Sequence, residues 1–140
     1  MNKISGKLYG MNIKIYHKNK CISGEIGLID SGSAYSLMGI DKYWELVKKN
    51  KIQMEDSNVN LVSVTDDNIQ VLGQVRLDIG VMGVRKEVVF IVVNNAINFA
   101  GSLLFGTNLF QKYPLLFDFK GGNVLMMDNE DDIYDHTLCH

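Results

Sequence analysis

Alternating apolar and polar positions recur along most of the chain and predict a domain built mainly from β-strands. The clearest alternation covers positions 69–79, where apolar residues or glycine occupy every second position. This pattern predicts a strand with one buried and one solvated face. Looser patterns predict further strands over 8–16, 21–29, 34–38 and 59–65.

Three other apolar segments lack this alternation. A continuous apolar run within 87–94 predicts a central strand that is covered on both faces. A short apolar segment ends at Gly106, and two more segments flank a Lys-Gly-Gly turn, which predicts a hairpin over 115–119 and 123–127.

Helical spacing is confined to two places. Positions 41–49 predict an amphipathic helix with Asp41 as its N-cap and Trp44 on the face that packs against the strands. Thr107 is expected to cap a short helical turn. Together these elements predict a closed or sandwich-like β domain with one or two short helices.

Length and composition fit one domain followed by a tail. The chain has 140 residues, and 46% of them are hydrophobic, which is enough for a core. The last part of the sequence is acidic and poor in apolar residues. We therefore expect a folded domain over 1–127 and a disordered tail over 128–140.

Charge and cysteine content narrow the expected partners and compartment. The net charge of −2 gives no basic excess for nucleic acid, and no apolar run is long enough to cross a membrane. The first residues lack the apolar core of a signal peptide. Cys21 and Cys139 stand far apart, which favours reduced cysteines and a cytoplasmic or nuclear location.

The candidate chemistry centres on Asp30. An apolar run through Ile26, Leu28 and Ile29 ends at this carboxylate, and small residues follow it. In one interpretation Asp30 only begins a turn, because Asp and Ser readily bond to their own backbone. In the other, the turn presents Asp30 as a catalytic acid. The triplet Asp-Ser-Gly by itself fits both.

Other candidate sites have less support. The segment His136-Thr137-Leu138-Cys139-His140 holds three possible metal ligands, but it lies on the predicted tail without a distant partner ligand. Ser31 lacks the Gly-x-Ser-x-Gly context of a nucleophile elbow. The sequence therefore predicts neither a metal site nor a cofactor.

Three sequence blocks resemble the retropepsin family, the retroviral and retrotransposon aspartic proteases, in their order and spacing. The first resembles the active-site loop, the second the flap hairpin with the strand that leaves it, and the third the segment that opens the C-terminal helix. They are Leu28-Ile29-Asp30-Ser31-Gly32-Ser33, Leu61 to Gly73, and Leu104-Phe105-Gly106-Thr107-Asn108-Leu109-Phe110.

The resemblance implies a retropepsin-like closed β-barrel that forms a homodimer, with Asp30 of each subunit meeting on the twofold axis. It also implies that Ser31 braces the two loops, Gly32 permits close backbone approach, and Ser33 orients the carboxylate. The implied flap, which would bind substrate, consists of Val64, Thr65, Asp66, Asp67, Asn68 and Ile69.

The implied activity is hydrolysis of extended peptides by an aspartic endopeptidase. Its two carboxylates share one proton, because like charges about 3 Å apart cannot both ionise. The chain has one Asp-Ser-Gly turn, so a single copy supplies half a site. The expected partners are a second copy and a peptide or polyprotein, in a retrotransposon or a host gene derived from one.

Two alternatives remain open at this point. The predicted flap tip, Thr65-Asp66-Asp67-Asn68, is acidic and lacks the glycines of retroviral flaps. That departure favours a catalytically inactive retropepsin-like module used for dimerisation or for peptide or protein binding. The third interpretation is an unrelated small β-barrel with a chance Asp-Ser-Gly turn.

Overall fold

The computed structural model describes residues 2–4, 8–30, 32–62, 68–94, 103–118 and 123–126. Within these ranges the chain is mainly β, with two short helices. The elements, in chain order, are β1 (Asn2–Ile4), β2 (Leu8–His17), β3 (Lys20–Ile29), β4 (Ser36–Gly39), α1 (Ile40–Val47), β5 (Leu61–Val62), β6 (Asn68–Ile69), β7 (Val71–Val81), β8 (Val84–Val93), β9 (Leu103–Phe105), α2 (Thr107–Lys112), β10 (Leu115–Asp118) and β11 (Asn123–Met126).

Six of the strands close into a barrel. Their order is β2-β3-β9-β4-β8-β7, and β7 pairs back onto β2 through the register Ile15↔Ile79. β1 extends this sheet beside the start of β2. Closure gives each of these strands two neighbours, although β9 pairs with only Leu28 and Ile29 of β3. The predicted closed β-barrel is confirmed.

The barrel interior holds the larger of two apolar clusters. β7 alternates as predicted, with Val75, Leu77 and Ile79 buried and Arg76 exposed. In β8, by contrast, the four consecutive residues 90–93 are all buried. Side chains on both faces of β8 are therefore covered, which confirms the sequence prediction of a central strand.

A second apolar cluster lies on the other face of four barrel strands. Successive side chains of β3, β9, β4 and β8 point alternately into the barrel interior and onto its outer face. The second cluster is formed by those on the outer face. The β5–β6 hairpin and its flanks pack against it. The buried members are Leu28, Leu37, Ile91, Val93 and Leu104, and the partly buried ones are Val59, Leu61, Ile69 and Val71.

The helix α1 differs from its prediction in two ways. It begins at Ile40, after Gly39 as the N-cap without a side-chain cap, so Asp41 lies in the first turn. Trp44 is 57% exposed, whereas Tyr43 and Leu46 are buried in the barrel cluster. Consecutive residues point about 100° apart around a helix. The face centred on Tyr43 therefore turns Trp44 toward solvent, and the prediction that Trp44 packs inward is wrong.

Polar contacts also fasten α1 to the barrel. Lys42 forms an ion pair with Glu25 of β3, and these side chains are only 7% and 11% exposed. The Tyr43 hydroxyl donates a hydrogen bond of 3.0 Å to the Ile52 carbonyl. The pair compensates only part of the cost of removing these charges from water, because Glu25 Oε2 is buried without a hydrogen-bond partner, but it fixes where α1 contacts β3.

α2 and the residue after it join β9 to the β7–β8 hairpin. Gly106 is the N-cap of α2, and Thr107 is the first helical residue, so the predicted cap is displaced by one position. Tyr113 is fully buried. Its hydroxyl accepts a hydrogen bond of 3.0 Å from the Lys86 N–H and donates to the Ile79 carbonyl.

Three further predictions have different outcomes. β10 and β11 form the predicted antiparallel hairpin. Cys21 is disulfide-bonded, so the expectation of reduced cysteines is wrong and the predicted compartment loses that support. The tail predicted over 128–140 lies outside the described residues.

In the described part of the chain, no helix has the length and apolar character that a bilayer crossing requires.

Candidate active site

Asp30 stands at the point where β3 ends and a tight turn begins. Its carboxylate oxygen Oδ1 accepts a hydrogen bond of 2.9 Å from the Gly32 N–H, and its carbonyl accepts one of 3.2 Å from the Ser33 N–H. These bonds end the strand, since the Asp side chain replaces a ladder partner. Asp30 is half-buried, and it follows Leu28 of the second apolar cluster by two positions along the chain.

β9 fixes this turn from one side. It lies between β3 and β4, parallel to β3 and antiparallel to β4. The Asp30 N–H donates a 2.9 Å hydrogen bond to the Phe105 carbonyl, and the Thr107 N–H donates a 2.7 Å bond to the Ser33 carbonyl. The loop is therefore bonded at both ends to the β9–α2 junction.

Gly106 is required at this junction because the loop passes directly over it. A Cβ atom there would lie 2.4 Å from the Tyr35 carbonyl oxygen and 2.5 Å from that of Ser33. Both neighbours are backbone atoms and cannot rotate away. A side chain at Gly32 would meet less steric hindrance, since a Cβ atom there would lie 3.2 Å from Asp30 Oδ1.

A buried polar pair supports the same junction, and the sequence analysis missed one of its members. Ser36 is fully buried. Its hydroxyl donates to Asn108 Oδ1 at 2.6 Å and accepts from the Gly106 N–H at 3.2 Å. The Asn108 amide then donates to the Val89 carbonyl at 3.2 Å. A hydroxyl placed directly before an apolar strand segment was the available signal for Ser36.

The other predicted loop residues are placed as follows. The Ser33 hydroxyl donates a 2.7 Å hydrogen bond to the Tyr35 carbonyl and accepts a longer one, of 3.4 Å, from the Tyr35 N–H. Among the described contacts it is the Gly32 N–H that holds the Asp30 carboxylate. Ser31 lies outside the described residues, so its bracing role stays a prediction.

The predicted flap is described only at its base. β5 and β6 pair antiparallel through Leu61↔Ile69 and Val62↔Asn68. Ile69 packs on the second apolar cluster, whose members Leu28 and Leu104 come from the strands that lead to the Asp30 loop. Val64, Thr65, Asp66 and Asp67 lie outside the described residues.

Comparison with solved structures identifies the architecture. The retroviral protease-like domain of Ddi1 from Leishmania major superposes with a TM-score of 0.59 at 14% identity, over 93% of this chain and 95% of that one. The EIAV protease in complex with the inhibitor HBY-793 gives 0.59 at 15% identity, over 80% and 93%. The chain has a retropepsin-like fold. No protein-family model and no curated protein sequence matches it.

Within this retropepsin-like fold, the Asp30 turn provides one carboxylate. Of the other aspartates, Asp78 lies within β7 and Asp118 at the end of β10. Among the residues that the structure describes, no three His, Cys, Asp or Glu side chains come together as a metal site. His136 and His140 lie outside the described ranges. The arrangement can therefore supply one acid or base from each copy of the chain.

Proposed function

We propose that this protein is an aspartic endopeptidase that acts as a homodimer and cleaves extended peptides. The observation that carries the proposal is the Asp30 carboxylate, held at the end of β3 by the Gly32 N–H in a loop that is bonded to β9 and α2. Because one copy supplies one such acid, the site is completed by Asp30 of a second copy across a twofold axis.

The chemistry follows from two carboxyl groups that share one proton. Mutual repulsion keeps one of them protonated while the other is ionised. The ionised group removes a proton from a water molecule as that water attacks the scissile carbonyl, and the protonated group donates a hydrogen bond to the carbonyl oxygen. We expect the peptide to lie extended beside the β5–β6 hairpin, with main-chain hydrogen bonds of the kind that a strand makes at a sheet edge.

The second candidate is a catalytically inactive module for dimerisation or for binding of a peptide or protein. The observation that favours it is the acidic segment Thr65-Asp66-Asp67-Asn68, which has no glycine. A segment without glycine bends less readily over a substrate. The retropepsin-like fold is compatible with both candidates, and the proposed genomic context, a retrotransposon or a host gene derived from one, is the same for both.

Substitution of the proposed catalytic acid separates them. Asp30→Asn is expected to abolish cleavage of a peptide library and to leave the dimer intact, because the amide keeps the shape but cannot act as a base. Asp56→Asn, at an exposed loop position, is the matched control and is expected to keep full activity. Cleavage is read by mass spectrometry, and the oligomeric state by light scattering during size-exclusion chromatography.

The pH profile tests the shared proton. Cleavage is expected to follow a bell-shaped curve, since activity needs one ionised and one protonated carboxyl group in the pair. If the wild-type protein shows no pepstatin-sensitive cleavage anywhere between about pH 4 and 7, the binding-module candidate stands. If it is a strict monomer at high concentration, the shared site is excluded altogether.

A further inference from the structure

The edge of β2 that faces β7 is paired over only part of its length. On the other edge, β3 runs alongside β2 from Tyr9 to His17. On the edge toward β7, β1 pairs with residues 8–10 and β7 pairs with residues 14–16. Among the residues that the structure describes, no strand pairs with this edge at 11–13. The sheet therefore has a gap of about 10 Å beside the contact that closes the barrel.

A groove opens at this gap. Its volume is about 700 Å³, and residues 11–14 of β2 line it together with the turn that joins β7 to β8. Side chains alternate along this stretch, with Met11 and Ile13 buried and Asn12 exposed. A strand edge presents main-chain N–H and C=O groups, and an edge without a neighbouring strand is a template for another extended segment. The groove thus combines such an edge with room for a short peptide.

The β7–β8 turn places an apolar side chain beside the gap at an energetic cost. Met82 and Gly83 have φ angles of 50° and 82°, the left-handed values of a two-residue hairpin turn. Asparagine or glycine is favoured at the first of these positions, and a methionine there is strained. Met82 is 44% exposed, and Ile26, which also lines the groove, is 51% exposed. Both side chains therefore offer apolar surface to a ligand.

Charged groups restrict what can lie in the groove. Lys14 and Arg85 line it, and the Arg85 guanidinium carbon lies 4.6 Å from the centre of the Tyr16 ring. Glu25 lines it too. One of its oxygens pairs with Lys42, and the other, Oε2, is buried without a hydrogen-bond partner in the described part of the chain. A side chain directed at Glu25 must therefore be a hydrogen-bond donor, whereas an acidic side chain fits beside the two cations.

The position of the gap favours a peptide over a second copy of the barrel. β1 and β7 lie along the same edge of β2, one on each side of the gap. A second copy would pair through its own β2, which is ten residues long and would overlap both of these strands. A peptide can enter the gap with about three residues extended and bend away at both ends.

We propose that the groove binds a short extended segment of a partner protein, which pairs with β2 at 11–13 and fills the sheet between β1 and β7. Side chains of an extended segment alternate between two directions. The first and third residues lie on the outer side, with an apolar one against Met82 and an acidic one beside Lys14 and Arg85. The residue between them points the other way and donates a hydroxyl hydrogen bond to Glu25. The matching sequence is an apolar residue, then serine or threonine, then an acidic residue.

This binding site is separate from the proposed protease site. The groove residues of β3 precede Asp30 by four or more positions, which corresponds to about 13 Å along a strand. Binding at the groove is therefore expected to be the same in the wild-type protein and in Asp30→Asn. All of the tests below measure binding or unfolding of the full chain, so their outcome is separate from that of the cleavage assays.

Matched peptides test the pairing and the sequence. The probe is acetyl-Ser-Val-Thr-Glu-Ser-amide, titrated while the amide chemical shifts of the protein are followed by NMR. Shifts are expected at residues 11–14 and 82–85. A probe that is N-methylated at its three central residues is expected to bind at least about 10-fold more weakly, because it cannot donate main-chain hydrogen bonds to β2. No binding of the probe at millimolar concentration, or equal binding of both peptides, would overturn the pairing.

A third peptide tests the contact with Glu25. Valine in place of the threonine keeps the shape of the side chain and removes its hydroxyl group. This probe is expected to bind about 5- to 20-fold more weakly, because hydrogen bonds to charged groups are the strong ones. Equal or tighter binding of the valine probe would overturn the hydrogen bond to Glu25.

Lys14→Gln tests the cationic side of the groove. This variant is expected to weaken binding of the glutamate probe about 2- to 5-fold and to leave binding of a glutamine probe unchanged. Lys48→Gln, at the end of α1, is the matched control and is expected to change neither. Equal losses for both probes, or no loss for either, would overturn the contact with the acidic residue.

Met82→Asn separates binding from stability. Asparagine suits the left-handed position, so this variant is expected to lower the equilibrium constant for unfolding about 2- to 5-fold. It also removes the apolar contact and is expected to weaken binding of the probe about 3- to 10-fold. Urea denaturation and the NMR titration measure the two effects. A variant that binds as tightly as the wild-type protein would overturn the role of Met82 in binding.

Discussion

The two ends of β3 differ in what covers them. At its start Gly24 is exposed and Ile26 is 51% exposed, so one face of the strand meets solvent. At its end residues 27–29 are all buried, because the barrel cluster covers one face and the second apolar cluster covers the other. Asp30 follows directly on the covered end.

This difference explains where a reactive group can be held in a fixed position. A strand that is packed on both faces has little freedom to shift. The turn that follows it therefore begins at a fixed position. The solvated end tolerates polar side chains and glycine; its strand pairing is with β2, and Glu25 there forms the ion pair with Lys42 of α1. Three pairs of substitutions measure how far the two ends differ, and a fourth compares the buried and exposed sides of α1.

The largest loss of stability is expected from Phe105→Ala. Phe105 is fully buried, lies over Gly27 at the covered end of β3 and packs edge-on against Phe90 at 5.4 Å. Its removal leaves a cavity and is expected to lower the free energy of unfolding by about 3–5 kcal/mol. Ile26→Ala, on the solvated end, is expected to change it by less than about 0.5 kcal/mol. Urea denaturation measures both, and similar losses would contradict the comparison.

The next effect is expected from Gly106→Ala. The new methyl group would push the Ser33 and Tyr35 carbonyls away from the β9–α2 junction and cost about 2–3 kcal/mol. The matched change at the other end is Gly24→Ala, where no atom lies within 4 Å of the added carbon. That variant is expected to be neutral or slightly stabilising. An Asp30 loop with unchanged amide chemical shifts in the first variant would show that the contact is not restrictive.

Ser36→Ala removes the hydroxyl that joins Gly106 to Asn108. The buried Gly106 N–H and the half-buried Asn108 Oδ1 lose their partner, at a cost of about 1–2 kcal/mol. Ser23→Ala, in the less covered half of β3, is the control and is expected to cost less than about 0.5 kcal/mol. Thermal unfolding measures both, and faster hydrogen exchange at the Gly106 amide is expected only in the Ser36 variant.

The smallest effect is expected from Trp44→Ala, because the indole is largely exposed and should contribute less than about 0.5 kcal/mol. Tyr43→Ala, one position earlier, removes a buried ring and its bond to Ile52, and is expected to cost about 3 kcal/mol or more. Unfolding in urea compares the two. A larger loss for Trp44 would mean that the exposed side of α1 carries an interaction that matters to the fold.

The sequence patterns located several strands well. The alternation over 69–79 and the apolar run over 87–94 correspond to β7 and β8, since period-two spacing and continuous burial are local signals. The errors arose where neighbouring elements decide. Trp44 and Tyr43 are equivalent in a helical stripe, and only the position of α1 on the barrel turns one of them inward.

The residues of the candidate site also fall into two groups: those that local sequence reveals and those that only the fold brings together. Asp30 and Gly32 could be singled out, because an acid after an apolar run and a glycine in a turn are visible in the sequence. Ser36 could not be assigned, because its partners Gly106 and Asn108 are about seventy residues away and meet it only when β9 inserts between β3 and β4.

By itself the sequence determined which segments are extended, which turn carries an acid after an apolar run, and that the chain contains one Asp-Ser-Gly turn. These properties depend only on neighbouring residues or on counting a motif along the chain. Tertiary structure decided the closure of β7 onto β2, the insertion of β9 between β3 and β4, and the carbonyls that exclude any side chain at Gly106. The physical reason is that such contacts join distant residues, whose proximity arises only when a shared apolar core brings the strands together.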